Sequence, residues 1–554
     1  MASINKKKCR GHTYYQIVKS KIINGKPRPI VLWHLGTANS LLKKLQSGVL
    51  KKKIHSWSHG SVFALWHIAE EMGIINLFKS EFKKNSRDDI QVGISLLLAA
   101  IHRAISPGSK RAFADWARLT TLPEIAGFDP VKLDSQHFWD QMDTVTEKQL
   151  ENAEKGITKI LKNKNLLTPS LLFYDTTNFF TFIDSDNSRC ELPKRGKNKQ
   201  KRDDLRQFGL AQVVTREFLI PICSKVYEGN QSDSKLFMPN ITELRKKLGE
   251  LEVQIEDMTI VFDKGNNSKE NFVQLDKMEQ AYVASLSAAH HEDLINIPKW
   301  RYCTVDVGEK KIRCYRTKKL IWGKERTVIL YISEILREGQ MGGLNQELAK
   351  KINKLQELKN DLNSKKAKPR SREVLKRTIK NILHGERGDF LIDVNIRKRR
   401  GKGLFDIDWS LDELAYDWVT KILFGKRILV TCREEWTENE IISAYYGLSH
   451  VERFFRHIKN PYHHAVRPQF HWTDQKIMVH TFICLTGFLL SQLLLKKVTQ
   501  AGHKISIEVL LDRLSEVRQA ETIELTGLKG RPIMTVQLEE MNNDLLKLFD
   551  DAMK

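Results

Sequence analysis

Asp175, Asp263 and Glu452 stand where this sequence could do chemistry on a phosphodiester. The runs SLLFYDTTNFF and MTIVFDKGNNS each read as an apolar strand that ends in an acid, Asp175 and Asp263. In open α/β sheets, ligands bind at the carboxyl ends of strands. Two acids there, with a third delivered by a helix, make a hard-oxygen cage suited to Mg²⁺ or Mn²⁺. Two such ions, about 3.5–4 Å apart, clamp the attacking and leaving oxygens of an in-line displacement. Glu452 supplies the third acid from YYGLSHVERFFRHIK, read as one helix from Tyr445 to Lys459. Tyr445, Glu452 and Lys459 are seven residues apart, close to two turns. One face then carries a phenol, a carboxylate and an ammonium, with Phe455 and Arg456 beside them. Taken singly, an Asp after a strand is most often a turn or cap residue. A Glu among Lys and Arg on a helix is usually a surface ion-pair partner. The conjunction of order, strand context and charge favours a metal site.

Positioning these acids takes a sheet. SLLFYDTTNFF, FGLAQVVTR and FLIPICSKVY predict a three-stranded meander, followed by a helix from about Ser234 to Gly249, the strand of Asp263, a further helix and the strand AYVASLS. That order predicts an α/β fold with one mixed sheet flanked by helices. The chain divides into a small β region (1–60), a helical, DNA-binding region (61–165), a first part of the catalytic core (166–290), an inserted module (291–430), a second part of the core (431–500) and a helical C-terminal region (501–554). The insertion reads as β-rich with a helical hairpin, from RYCTVDVGEKKIRCYRTKK and ERTVILYIS to LNQELAKKINKLQELKNDLN and SREVLKRTIKNILHG.

Charge indicates the partner. With 91 Lys+Arg against 67 Asp+Glu, the net charge is +24 and the pI about 9.5, which favours a polyanion, nucleic acid before anionic membrane. The basic loop from Lys194 to Arg202 offers Lys197, Lys199 and Lys201 to a DNA backbone. RKRRGKG (Arg397 to Gly403) is a weaker candidate, and the tip KKAKPRSR reads as solvated. Trp300 and Trp322 read as core residues rather than base-stacking platforms. His457, His463, His464, His471 and His480 lack Cys partners or H-E-x-x-H spacing, so zinc is not expected, and His480 reads as a core residue. Seven scattered cysteines without a C-x-x-C pair suit a reducing interior. MASINKKKCRGH has no apolar signal-peptide region, so a cytoplasmic location is expected. The run FICLTGFLLSQLLL, Phe482 to Leu495, falls short of the roughly 20 residues of a membrane span and reads as a buried helix.

In combination these motifs resemble the DDE transposases of bacterial insertion sequences. The cut-and-paste branch of that family carries Y-x2-R-x3-E-x6-K around its last acid. Tyr445, Glu452 and Lys459 fall on the pattern, while Leu448 stands where the arginine would be. FYDTTNFF, GLAQVV, PICSKVYEGNQSD, IVFDKGN and FFRHIKNPYHHAVRPQFHWTDQKIMVH are also similar to the family, and the likeness runs from about 60 to 500. The resemblance implies an RNase H-like catalytic fold with an insertion before the last acid. It implies two Mg²⁺ or Mn²⁺ ions on Asp175, Asp263 and Glu452, and DNA contacts from Tyr445, Arg456 and Lys459. It also implies a homodimer on paired element ends, and cleavage followed by strand transfer of the 3′-hydroxyl to target DNA. Its rivals are a stand-alone nuclease of the same fold and a transposase-derived DNA-binding regulator, the latter expected to have lost an acid.

Overall fold

Strand β1 (Leu171–Phe180) presents Phe173, Asp175, Thr177 and Phe179 to one side and Leu172 and Tyr174 to the other, because side chains alternate along a strand. The computed structural model describes residues 2–9, 11–23, 26–46, 53–83, 90–167, 169–184, 186–198, 200–253, 255, 257–364, 368–385, 387–400, 405–467, 469–525 and 532–554. The meander continues through β2 (Gln207–Thr215) and β3 (Pro221–Glu228). β4 (Thr259–Phe262) pairs parallel to β1, and β5 (Ala281–Leu286) pairs parallel to β4. β6 (Cys303–Val307), β7 (Lys310–Ile321), β8 (Lys324–Ile332) and β9 (Lys426–Thr431) add antiparallel strands on the far side. Among the described residues these nine strands form one mixed sheet in the order β6-β7-β8-β9-β5-β4-β1-β2-β3.

Both faces of this sheet are covered, so its inner strands read as continuous apolar runs. One face packs Leu172, Tyr174, Ile260, Phe262, Tyr282 and Val430 against helices α1 (Asp233–Glu250) and α2 (Lys269–Lys277). The other packs Phe173, Val261, Val283 and Leu429 against α3 (Glu438–Tyr446), α4 (Ser449–Ile458) and α5 (Asp474–Gln500). Asp175 and Asp263 continue the Phe173 and Val261 parity, so they face α3 and α4.

The expected inserted module at 291–430 is smaller than its sequence pattern suggests. Its first three strands and its last, β6 to β9, belong to the central sheet. What remains apart is the helix Glu334–Asn363, the helix Arg372–Leu383 and a two-stranded ribbon, Ile392–Lys398 with Phe405–Leu411, around a separate core of Leu355, Leu375 and Ile407. The C-terminal region is also corrected. Arg518–Leu525 and Pro532–Leu538 are strands, and the first pairs with Lys53–Ser58 far back in the chain. Helix α5 has 27 residues, longer than the run judged from sequence, and is long and apolar enough to cross a membrane. Here it is buried within the protein, against the helix Val92–Ile105.

Candidate active site

Asp263 follows the last residue of β4 and precedes a short 3-10 turn, Lys264–Asn266. Its Oδ1 accepts from Ser285 Oγ on β5 at 2.6 Å and from the Tyr445 hydroxyl on α3 at 3.1 Å. The Lys264 amide donates to Ser285 Oγ at 3.1 Å, which leaves the serine proton for Asp263. Burial works against the charge on Asp263, yet the bonds from Ser285, the Lys264 amide and Tyr445 outweigh it and hold the carboxyl below its ordinary range. Tyr445 is only 3% exposed. Burial, and then the Asp263 charge, push its phenol up to about 12, so it remains a donor. The guanidinium of Arg427, on β9, lies 5.2 Å from the centre of the Tyr445 ring.

The segment Tyr445 to Lys459 is two helices rather than the single one expected. α3 ends at Tyr446, Gly447 caps it, and α4 begins at Ser449. Glycine disfavours a helix interior, and a side chain at 447 is also excluded by packing: a Cβ there would approach the Phe173 ring to 2.3 Å. Gly447 and Leu448 keep right-handed helical backbone, with the Leu448 and His450 amides bonding three residues back, so the junction is a tightened turn across which Tyr445 still lines one pocket with Glu452. Tyr445 is enclosed on Asp263 instead of lying open to DNA. Leu448, where the resemblance expects an arginine, is 7% exposed and packs in the core.

Helix α4 crosses the face of β1 that carries Asp175. His450 stacks on Phe173 at 5.6 Å, and Lys459 donates to Thr177 Oγ1 and lies 5.2 Å from the Phe179 ring centre. Asp175 sits between Phe173 and Thr177 on that same face. The β1–β4 register pairs Phe173 with Val261. Carried two residues on, it sets Asp175 beside Asp263 in strands about 4.8 Å apart. Asp263 and Glu452 line one pocket of about 170 Å³, with Arg427, Tyr445, Tyr446, Leu448 and Ser449. Asp175 is outside that wall. Among the described residues, no three His, Cys, Asp or Glu side chains are grouped closely enough to hold a metal ion. The donor chemistry still suits a hard divalent cation, since the acids of the pocket wall are carboxylates and no thiolate or imidazole lines it.

No protein-family model and no curated protein matches this chain. Among solved structures, a distant likeness is found to a cryo-EM structure of the piggyBac transposase synaptic complex with hairpin DNA. It covers 82% of this chain and 70% of that one, at 12% identity and a TM-score of 0.32. A likeness that low leaves the chemistry to the site itself.

The basic candidates lie in different settings. Lys197 and Lys201 are exposed, and neither has an ion-pair partner among the described residues. Lys199 lies outside the described residues. Lys194 and Arg202 of the same loop are already paired, with Glu228 at 2.8 Å and Asp204 at 2.7 Å. The loop is anchored at its base by Arg206, which donates to the carbonyls of Pro193, Asn187 and Cys190, and by Asp474, which accepts from the amides of Glu191 and Leu192. Arg456 is exposed on α4. Of the five histidines, His457 pairs with Glu508 at 2.8 Å, and His463, His464, His471 and His480 are buried with protein partners. Trp322 packs on Phe272, but Trp300 is 81% exposed, against the core role expected for it.

Sequence reasoning missed Ser285, Arg427 and Asp233. Asp233 accepts from Thr176 Oγ1 at 2.8 Å, one residue from Asp175. Ser285 ends an apolar strand and Arg427 opens one. A polar residue at an inner strand's end was the available signal, but nothing local says which neighbour it meets.

Proposed function

We propose that this chain is a DDE transposase of a bacterial insertion sequence, with an RNase H-like core, acting in the cytoplasm as a homodimer on paired double-stranded DNA ends. The observation that carries this reading is the meeting of Asp263 and Glu452 in one pocket, beside a strand whose Asp175 faces the same helix. The three carboxylates would hold Mg²⁺ or Mn²⁺. When bound, such ions polarise the phosphodiester and make water a competent nucleophile at neutral pH. Ser285 and Tyr445 keep Asp263 ionised and in one orientation. Lys459 and Arg456, with Lys197, Lys199 and Lys201, hold backbone phosphates on either side of the cut. Water cleaves at the element end, and the freed 3′-hydroxyl then attacks a target phosphodiester in line, breaking its P–O3′ bond and releasing a target 3′-hydroxyl.

The test uses duplexes carrying the DNA that flanks the gene, incubated with Mg²⁺ and a supercoiled target plasmid. Cleavage with joined products is expected, and Asp175→Ala, Asp263→Ala and Glu452→Ala should each abolish both while leaving duplex binding intact. Cleavage without joining would favour the stand-alone nuclease. Binding without either reaction, in the unmutated protein, would favour the DNA-binding regulator.

A further inference from the structure

Arg427 is a two-sided residue. On β9 it stands opposite Tyr331 of β8, whose side chain interacts with it, and its guanidinium lies over the Tyr445 ring. Its remaining side is pocket wall, shared with Asp263 and Glu452. A guanidinium carries five N–H donors, and two tyrosines engage few of them. Among the described residues no carboxylate forms an ion pair with Arg427.

Arg326 lies on the adjacent β8. It is buried where Arg427 is half-buried, and it pairs with Asp276 at 2.6 Å and donates further to Tyr282 and to the Ile321 carbonyl. One inner-sheet arginine is saturated by the fold, and the other keeps donors directed at a cavity. Arg427 is half-buried with Asp263 near but not ion-paired to it, so N–H groups remain that a ligand in the pocket can engage. Burial works against the Arg427 charge, but Tyr445, Tyr331 and Asp263 more than compensate, so it stays a cation.

We propose that Arg427 binds a phosphate oxygen of the phosphodiester that enters the pocket between Asp263 and Glu452. This rests on the reading of the pocket as a phosphodiester site. Its planar fork suits a phosphate, which accepts two parallel N–H bonds. It would reach that phosphate from a sheet strand, from the same pocket wall in which Leu448 offers no donor.

Arg427→Gln and Arg427→Lys are compared with the unmutated protein for binding to a fluorescein-labelled 40-bp duplex in Ca²⁺, across a salt series. Inorganic phosphate serves as competitor, and thermal melting is recorded in parallel. The glutamine variant should bind about 10- to 100-fold more weakly and lose about one unit of the log–log salt slope. The lysine variant should recover the slope but only part of the affinity. Excess inorganic phosphate should displace the duplex less readily from the glutamine variant. An unchanged slope in a folded glutamine variant overturns the proposal, and so does a shift in melting alone. If the glutamine variant does not fold, the lysine variant decides: affinity equal to the unmutated protein overturns it. Mn²⁺ binding, followed by electron paramagnetic resonance on Asp263→Ala, separates this proposal from the reading beneath it. Retained Mn²⁺ binding there sinks the metal assignment without touching the Arg427 result.

Discussion

Asp263 takes hydrogen bonds from Ser285 and Tyr445, whereas Glu452, across the same pocket, is exposed and has no side-chain hydrogen bond or ion pair among the described residues. The strand side is oriented before any ligand arrives, because β4, β5 and α3 each contribute one atom to the arrangement. The helix side is held only through its backbone. α4 is clamped at both ends, by His450 on Phe173 and Lys459 on Thr177, with Glu452 left free to turn between them. A site built this way keeps one acid fixed and leaves the other without a side-chain partner among the described residues.

The largest effect expected from that contrast is on cleavage. Both Asp263→Asn and Glu452→Gln should slow Mg²⁺-dependent cutting by more than about 100-fold, beyond what loss of an outer partner of a metal ligand does. They should differ in stability. Glu452→Gln should melt within about 0.5 kcal/mol of the unmutated protein. Asp263→Ala, which strands the Ser285 and Tyr445 hydroxyls, should lose roughly 1–3 kcal/mol. Chemical denaturation of both variants measures this, and equal losses would break the contrast between the walls.

Next comes Leu448→Arg. Since Leu448 is core, a charge there should cost on the order of 3 kcal/mol or more, read as a drop in melting temperature with no gain in duplex binding. Tighter binding without destabilisation would return Leu448 to the DNA-facing surface.

Ser285→Ala tests the fixed wall more finely. Mn²⁺ affinity should fall about 10- to 100-fold, with Tyr445→Phe in the same direction, both measured by electron paramagnetic resonance. An unchanged affinity in both would mean that Asp263 is held by its backbone alone.

The smallest effect concerns the outer tether of α4. The His457 bond, against an opposing contribution from burial, pulls the Glu508 carboxyl from 4.5 to about 2. A depressed carboxylate contributes stability that is present above its unfolded value and lost as pH falls through the folded one. The contribution should therefore be complete above about pH 4.5 and disappear toward pH 2. Discounted for partial exposure, it amounts to roughly 1–2 kcal/mol. Glu508→Gln should flatten that part of the acid-unfolding curve. An identical curve would leave α4 tethered only on its sheet side.

Asp263 is legible in sequence because a strand's end is a local event: an apolar run stops and an acid follows. Asp175, expected at a strand end as well, lies inside the ten-residue β1, which runs on through Thr176 to Phe180. The mixed α/β sheet was readable for the same reason, since period-2 alternation and turn residues are local. Glu452 could be found as a lone acid in a basic helix, but not the break before it. At that junction Gly447 lies where a Cβ would meet the Phe173 ring, a contact between segments far apart in the chain. Strands β6 to β9 could be seen individually, yet their membership of the central sheet was decided by pairing between β9 and β5. Ser285, Arg427 and Tyr445 are the clearest cases of what only the tertiary structure decided. A serine, an arginine and a tyrosine carry no local signal of partnership, and their roles exist because register brings three distant segments to one carboxylate. Sequence determined which residues can do chemistry here, while the register of the sheet and the close approach of two helices determined which of them meet.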